Sequence, residues 1–198
     1  MENNRLQEAL NRITAIPEAE ARYLEQHVEW RFAGKGELLL REGEVCTSAY
    51  YCAEGLVRIY YSSEDGTEFN KNFFAEQMFF SAYSSMLTRE PSTLSIQAME
   101  PSKVAVIPRA LMDRLYERHP CWDRWGRKLA EMLYILKERR EHLLLVHAAE
   151  ERYRIFLQRF PELAQRLPQY QIASYLGINP VSLSRIRNNQ ARKPSPLG

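Results

Sequence analysis

The sequence predicts an α+β chain in three parts: a small barrel or jelly roll, one long helix, and a C-terminal pair of short helices joined by a tight turn. Three observations carry this expectation. From about residue 31 to 108, short runs rich in β-branched and aromatic residues alternate with turn signals. After Pro120 a helical pattern runs unbroken to about residue 160. At 169–188 the segment QYQIASYLGINPVSLSRIRN has the apolar spacing, turn glycine and cap of a helix-turn-helix.

Residues 1–30 read as helical. Leu6, Leu10, Ile13 and then Tyr23, Leu24 and Val28 recur at helical intervals, interrupted at Pro17. The strand-like runs are ELLLREGE, AYYCAEGLVRIYYS, TEFNKNFF, LSIQAME and KVAVIP, with turns at Gly43, Glu54-Gly55 and Asp65-Gly66. Helical pattern returns at Arg109-Ala110-Leu111. Between Trp122 and His147, the residues Leu129, Leu133, Leu136, Arg140, Leu143 and His147 alternate at four-and-three spacing. That spacing is a coiled-coil seam with a polar break at Arg140, and it points to a homodimer. A helix packed inside one chain shows similar periodicity, so the spacing alone leaves both arrangements open.

The C-terminal segment points to nucleic acid. Ile172, Leu176, Leu183 and Ile186 hold two short helices against a core, and Ala173 is small where they pass. Gly177 sits at the turn, where a left-handed backbone favours glycine. Asn179 caps the second helix and Pro180 occupies its first turn. That helix carries Val181, Ser182, Ser184, Arg185 and Arg187, of which the polar side chains reach base edges and phosphates. Formal net charge is only +2, but the last acidic residue is Glu162. Arg166, Arg185, Arg187, Arg192 and Lys193 follow with no carboxylate among them. Such a local excess of positive charge suits double-stranded DNA as a partner.

Composition narrows the remaining classes. With 198 residues, 45% of them hydrophobic, the chain can bury one good core and a smaller second one. No apolar run approaches a membrane-spanning length, and the N-terminus lacks the apolar stretch of a secretion signal, so a cytoplasmic protein without a membrane partner is expected. Cys46, Cys52 and Cys121 are odd in number and widely spaced, against a disulfide framework or a structural metal site. No catalytic triad or glycine-rich phosphate loop is found, so no enzyme and no cofactor are expected.

Taken together, GELLLREGE (36–44), AEGLVRIYY (53–61), SSMLTREPSTLSIQAME (84–100) and IASYLGINPVSLSRIR (172–187) resemble the Crp/Fnr family of bacterial transcription regulators over nearly the full length. The resemblance implies a double-stranded β-helix of the cyclic-nucleotide-binding type over residues 1–120 as sensor. It further implies a dimerisation helix over 121–147 and a helix-turn-helix DNA-binding domain over 148–198. RNA polymerase and a small-molecule effector are further partners that the resemblance brings.

At the ligand site the sequence departs from cyclic-AMP-binding members. Those carry a Gly-Glu pair after the strand at Phe79-Phe80, and further on an Arg-Ser pair for the cyclic phosphate. Here Ser81-Ala82 and Ser92-Thr93 stand in those places. Without the arginine there is no bidentate grip on a phosphate, and without the glutamate no acceptor for the ribose hydroxyl. The segment Phe80, Ser81, Ala82, Tyr83, Ser92 and Thr93 is therefore a degenerate ligand pocket, and no response to cyclic AMP is expected. Phe73, Phe74, Phe79, Phe80 and Tyr83 either line an apolar pocket or pack the interior of the roll. The competing reading is a sensory or interaction module whose helix-turn-helix no longer reads DNA. Val181 favours it, standing where the resembled branch carries Glu, as does the short KPSPLG end, which leaves no room for a β-hairpin wing.

Overall fold

The computed structural model describes residues 2–192, and their side chains from Arg5 to Asn189. Lys193, expected to contact DNA, lies outside the described residues, and of Arg192 only the backbone is described.

Two helices, α1 (Glu2–Ile13) and α2 (Glu18–His27), precede eight strands. The strands are β1 (Glu29–Ala33), β2 (Leu38–Leu40), β3 (Ser48–Glu54), β4 (Val57–Ser62), β5 (Glu68–Phe74), β6 (Phe79–Phe80), β7 (Ser95–Ala98) and β8 (Ser102–Pro108). A short helix α3 (Tyr83–Thr88) interrupts them after β6. Then follow α4 (Arg109–Arg118), α5 (Cys121–Val146), α6 (Ala149–Arg159), α7 (Pro161–Arg166), α8 (Gln169–Leu176) and α9 (Pro180–Arg192).

The strands form two four-stranded antiparallel sheets, ordered β1-β8-β3-β6 and β2-β7-β4-β5. Their inner faces meet in a core that includes Tyr50, Val57, Ile59, Phe74, Phe80 and Ile96. Gly55 turns the chain from β3 to β4 with φ +97, and a Cβ there would come within 2.3 Å of the Ser102 hydroxyl. That close approach admits no side chain. The outer face of the first sheet carries α1, α2, α4 and the start of α5, packed through Leu10, Leu24, Tyr51, Leu111, Trp122 and Trp125. Glu20, only 7% exposed, knits these helices together. Its carboxylate accepts hydrogen bonds from Arg118 Nε and Trp122 Nε1. A third core joins α6 to α9 through Tyr153, Phe156, Ile172, Leu176 and Leu183, and it takes in Leu56 and Phe73 from the roll.

Three expectations need correction. The helical reading of residues 1–30 ran into β1, where Glu29 pairs with Val106 and Ala33 with Ser102 across β8; sheet pairing overrides the local period. The helix expected to run unbroken to residue 160 breaks at His147 and Ala148, both extended. No proline or glycine marks that break. It comes from tertiary packing, because α6 must turn to bring Tyr153 and Phe156 into the third core.

The third correction concerns the seam on α5. Leu129 and Leu133 face a cavity within the chain. Leu143 packs on the third core. Arg140 is no polar break in a coiled coil: its guanidinium donates to the carbonyls of Asn70 and Tyr175, 2.9 Å each, and stacks on the Tyr175 ring. His147 is half-buried, and of the expected stripe only Leu136 is exposed. The large hydrophobic side chains α5 leaves open are Met132, Tyr134, Ile135, Leu136, Leu145 and Val146. With Arg139 and His142, the residues Met132, Ile135 and Val146 form a stripe rotated by one residue from the expected one.

Candidate nucleic-acid interface

Helices α8 and α9 meet at a turn whose geometry follows from three residues. Gly177 is left-handed, with φ 60 and ψ 40. The Ile178 N–H reaches back to the Ala173 carbonyl at 2.9 Å, closing the C-terminus of α8. Asn179 Oδ1 accepts from the Val181 N–H at 2.9 Å and caps α9, with Pro180 at its first position. Leu183, 1% exposed, and the half-buried Ile186 pin α9 to the third core. The opposite face carries Val181, Ser182, Ser184 and Arg185, all exposed, with Val181 60% exposed. Arg187 is half-buried on the flank, four residues after the inward Leu183. Arg185 and Arg187 have no hydrogen-bond or ion-pair partner among the described residues, whereas Asn179 is committed to the cap.

The positive charge is more concentrated than the sequence suggested. Arg166 does not belong to it, since it bridges Glu76 and Glu100 of the roll at 2.9 and 2.6 Å. Burial alone would raise the Glu76 carboxyl, but the hydrogen bonds and charge of Arg166 outweigh this and hold it below its usual value.

Several other side chains tie this unit to the roll, and no pattern in the sequence points to them. Gln171 on α8 is 4% exposed, and its Oε1 accepts from Arg58 Nη1 on β4 at 3.1 Å and from Asn70 Nδ2 on β5 at 2.5 Å. Arg58 is 5% exposed and further bonded to Gln97 and Glu68. Ser174 accepts from the Asn70 N–H and donates to the Glu68 carbonyl. Phe73 and Tyr175 pack ring to ring at 5.5 Å between centroids. Buried polar groups are tolerated only when paired, and here the pairing crosses 113 residues of sequence.

The loop expected to hold a ligand is internally satisfied. The Ser81 hydroxyl donates to the Ser48 carbonyl at 3.0 Å, and the Ser92 hydroxyl to the Leu94 carbonyl at 2.8 Å. Ala82 is 2% exposed and packs in the roll core, while Thr93 and Arg89 face solvent. The four phenylalanines of the aromatic group divide among three cores, Phe74 and Phe80 inside the roll, Phe79 under the helices and Phe73 against α8, while Tyr83 is exposed. Between α5 and the first sheet lies an apolar cavity of about 80 Å³.

Residues 30–119 match the cyclic nucleotide-binding domain family. No curated protein matches the sequence significantly. The fold is shared with the regulator FixK2 of Bradyrhizobium japonicum, at 20% identity and a TM-score of 0.70 over 83% of this chain and 84% of that one. The family matched is that of the domain over residues 30–119, and the rest of the likeness is one of fold. Two further solved structures share the fold. The c-di-GMP-responsive global regulator CLP of Xanthomonas campestris superimposes with a TM-score of 0.70 at 14% identity, over 88% of this chain and 92% of that one. The catabolite activator protein of Thermus thermophilus gives 0.58 at 21% identity, over 92% and 86%. Among the described residues no helix is long and apolar enough to cross a membrane.

Proposed function

We propose that this chain is a Crp/Fnr-type, sequence-specific, DNA-binding transcriptional regulator that does not answer to cyclic AMP. The observation that carries the reading is the outward face of α9. There Ser182 and Arg185 stand exposed on a helix held by its cap and by Leu183, with the arginine uncommitted to any carboxylate. A helix so presented enters a major groove, where Arg185 pairs with a guanine edge and Ser182 and Ser184 bond bases or phosphates. Val181 offers only apolar contact, as with a thymine methyl. Arg187, turned toward the flank, takes the phosphate backbone, as do Arg192 and Lys193 beyond it. Two such helices set about 34 Å apart engage successive half-sites, which requires a homodimer. The exposed Met132, Ile135 and Val146 on α5 supply its seam.

The cyclic AMP argument rests on chemistry rather than on space. A cyclic phosphate needs a cation or several donors at Ser81 and Ser92, and both hydroxyls already donate to backbone carbonyls. Selection of bound duplexes from a random pool tests the DNA reading. Recovery of a palindromic motif supports it, and recovery of unselected sequence refers α9 to protein interaction instead.

A further inference from the structure

Two of the four histidines meet where α5 ends. The rings of His142 and His147 lie 5.3 Å apart between centroids, with their planes at 71°. A regular helix does not bring residues five apart together, since they point about 140° from each other around its axis. The pair forms because α5 breaks at His147, whose extended backbone (ψ 140) brings its ring to that of His142. The other two histidines spend a ring nitrogen locally. His27 Nδ1 donates to the Tyr23 carbonyl at 2.7 Å, and His119 Nδ1 accepts from the Cys121 N–H at 3.1 Å. Neither His142 nor His147 has a side-chain hydrogen bond among the described residues. His142 is exposed and His147 half-buried, so the pair is open to solvent.

We propose that His142 and His147 are half of a binding site for a divalent transition-metal ion of the zinc class, completed by the same two residues of a second copy across the α5 seam. Neutral imidazole suits zinc and its neighbours. With nitrogens about 2.0–2.1 Å from the ion, two imidazoles bound at the tetrahedral angle have their ring centroids about 5 Å apart. The observed spacing fits that value. The steep angle between the planes also matters, because rings stacked face to face cannot both present a nitrogen to one ion.

One chain does not finish the site. Among the described residues no group of three or more histidines, cysteines, aspartates or glutamates is placed to hold a metal, and all three cysteines are buried. Tetrahedral coordination asks for two more ligands. His142 stands on the stripe of Met132, Ile135, Arg139 and Val146. A two-fold axis along that stripe sets His142 opposite its own copy and supplies the second pair. This step rests on the homodimer proposed above. Glu151 on α6 places a carboxylate near the pair: it is held below its usual value first by the hydrogen bond from Arg154, and also by the charge of His147. Arg139, three residues before His142, opposes a cation, but it is exposed and screened by solvent. An ion held here joins the two copies where each chain turns from α5 into α6, the step that leads to the DNA-reading helices.

The test uses the full chain freed of metal by a chelator. It is titrated with zinc chloride under calorimetry and sedimented with and without zinc, and cobalt(II) replaces zinc for its visible spectrum. One ion per two chains is expected, with micromolar or tighter affinity and the intense visible bands of tetrahedral cobalt. Zinc should tighten dimerisation about tenfold or more. His142→Gln and His147→Gln are each expected to lose these responses, and His27→Gln, on an exposed site of α2, to keep them. No uptake of zinc would overturn the proposal. So would one ion per chain with no change in assembly, or undiminished uptake in the folded His142 and His147 variants. The parent's stoichiometry and cobalt spectrum decide the matter even where a variant misfolds. Sedimentation in chelator reads the seam separately. A chain already dimeric there that takes up no zinc loses the metal site and keeps the dimer, and one monomeric at every zinc concentration loses both.

Discussion

Gln171→Ala would remove the acceptor shared by Arg58 and Asn70 at the joint between the roll and α8. The lost bond from Arg58 is charge-assisted, worth about 1.5–3 kcal/mol, and that from Asn70 is neutral, worth about 0.5–1.5 kcal/mol. Part of this is recovered. Arg58 keeps Gln97 and Glu68, and Asn70 Nδ2 keeps the Gln171 carbonyl at 3.0 Å. The expected loss is therefore about 2–3 kcal/mol, toward the lower part of the summed range. Hydrogen exchange of the α8 amides measures it directly. Local opening there should become about 30- to 100-fold more frequent, at about 1.4 kcal/mol per tenfold, with the strands of the roll little changed. Gln171→Glu keeps an acceptor oxygen for Arg58 and Asn70 and should retain most of the protection. If Gln171→Ala costs less than about 0.5 kcal/mol and α8 exchanges as in the parent, the bridge does not hold the two parts together and the argument from its burial is wrong.

Glutamate at Met132 and Ile135, which face outward, should give monomers by sedimentation, because it would bury unpaired charge in the seam; a dimer unaffected by both would place the interface elsewhere. Calorimetry should detect no binding of cyclic AMP, and a micromolar dissociation constant would overturn the reading of Ser81 and Ser92. The Arg166 bridge should be sensitive to acid. The folded Glu76 carboxyl titrates below its usual value of 4.5, so the bridge contributes fully above that pH and is lost as pH falls through the folded value. Protection of α7 should fall over that acid window in the parent and show no such step in Glu76→Gln.

Much of the fold was legible because its signals are local. Turn glycines separate strands with β-branched and aromatic runs, and Gly177, Asn179 and Pro180 fix the α8–α9 turn with atoms a few residues apart. What the sequence hid is non-local. The spacing of Leu129, Leu133, Arg140 and Leu143 fits a coiled coil and a helix lying on its own chain equally well. Only the folded positions of Asn70 and Tyr175 show that Arg140 points inward. Gln171 gave no signal, since a glutamine on an amphipathic helix is ordinarily solvated and its partners lie on β4 and β5. Arg166 likewise looked like part of a basic tail, until the roll supplied Glu76 and Glu100. On α9 the inward Leu183 and Ile186 were readable from spacing, and with them the exposure of Arg185.

The most direct test of the account compares Arg185→Ala and Arg187→Ala on the DNA site recovered by selection, as a function of salt. Arg185→Ala is expected to cost about 1–3 kcal/mol on that site and to relax preference at one base pair per half-site. Arg187→Ala should weaken all sequences about equally and reduce the salt dependence by about one ion per subunit. If both variants keep the parent's site preference and salt slope, α9 does not read DNA, and the chain is a sensory module acting through protein contacts.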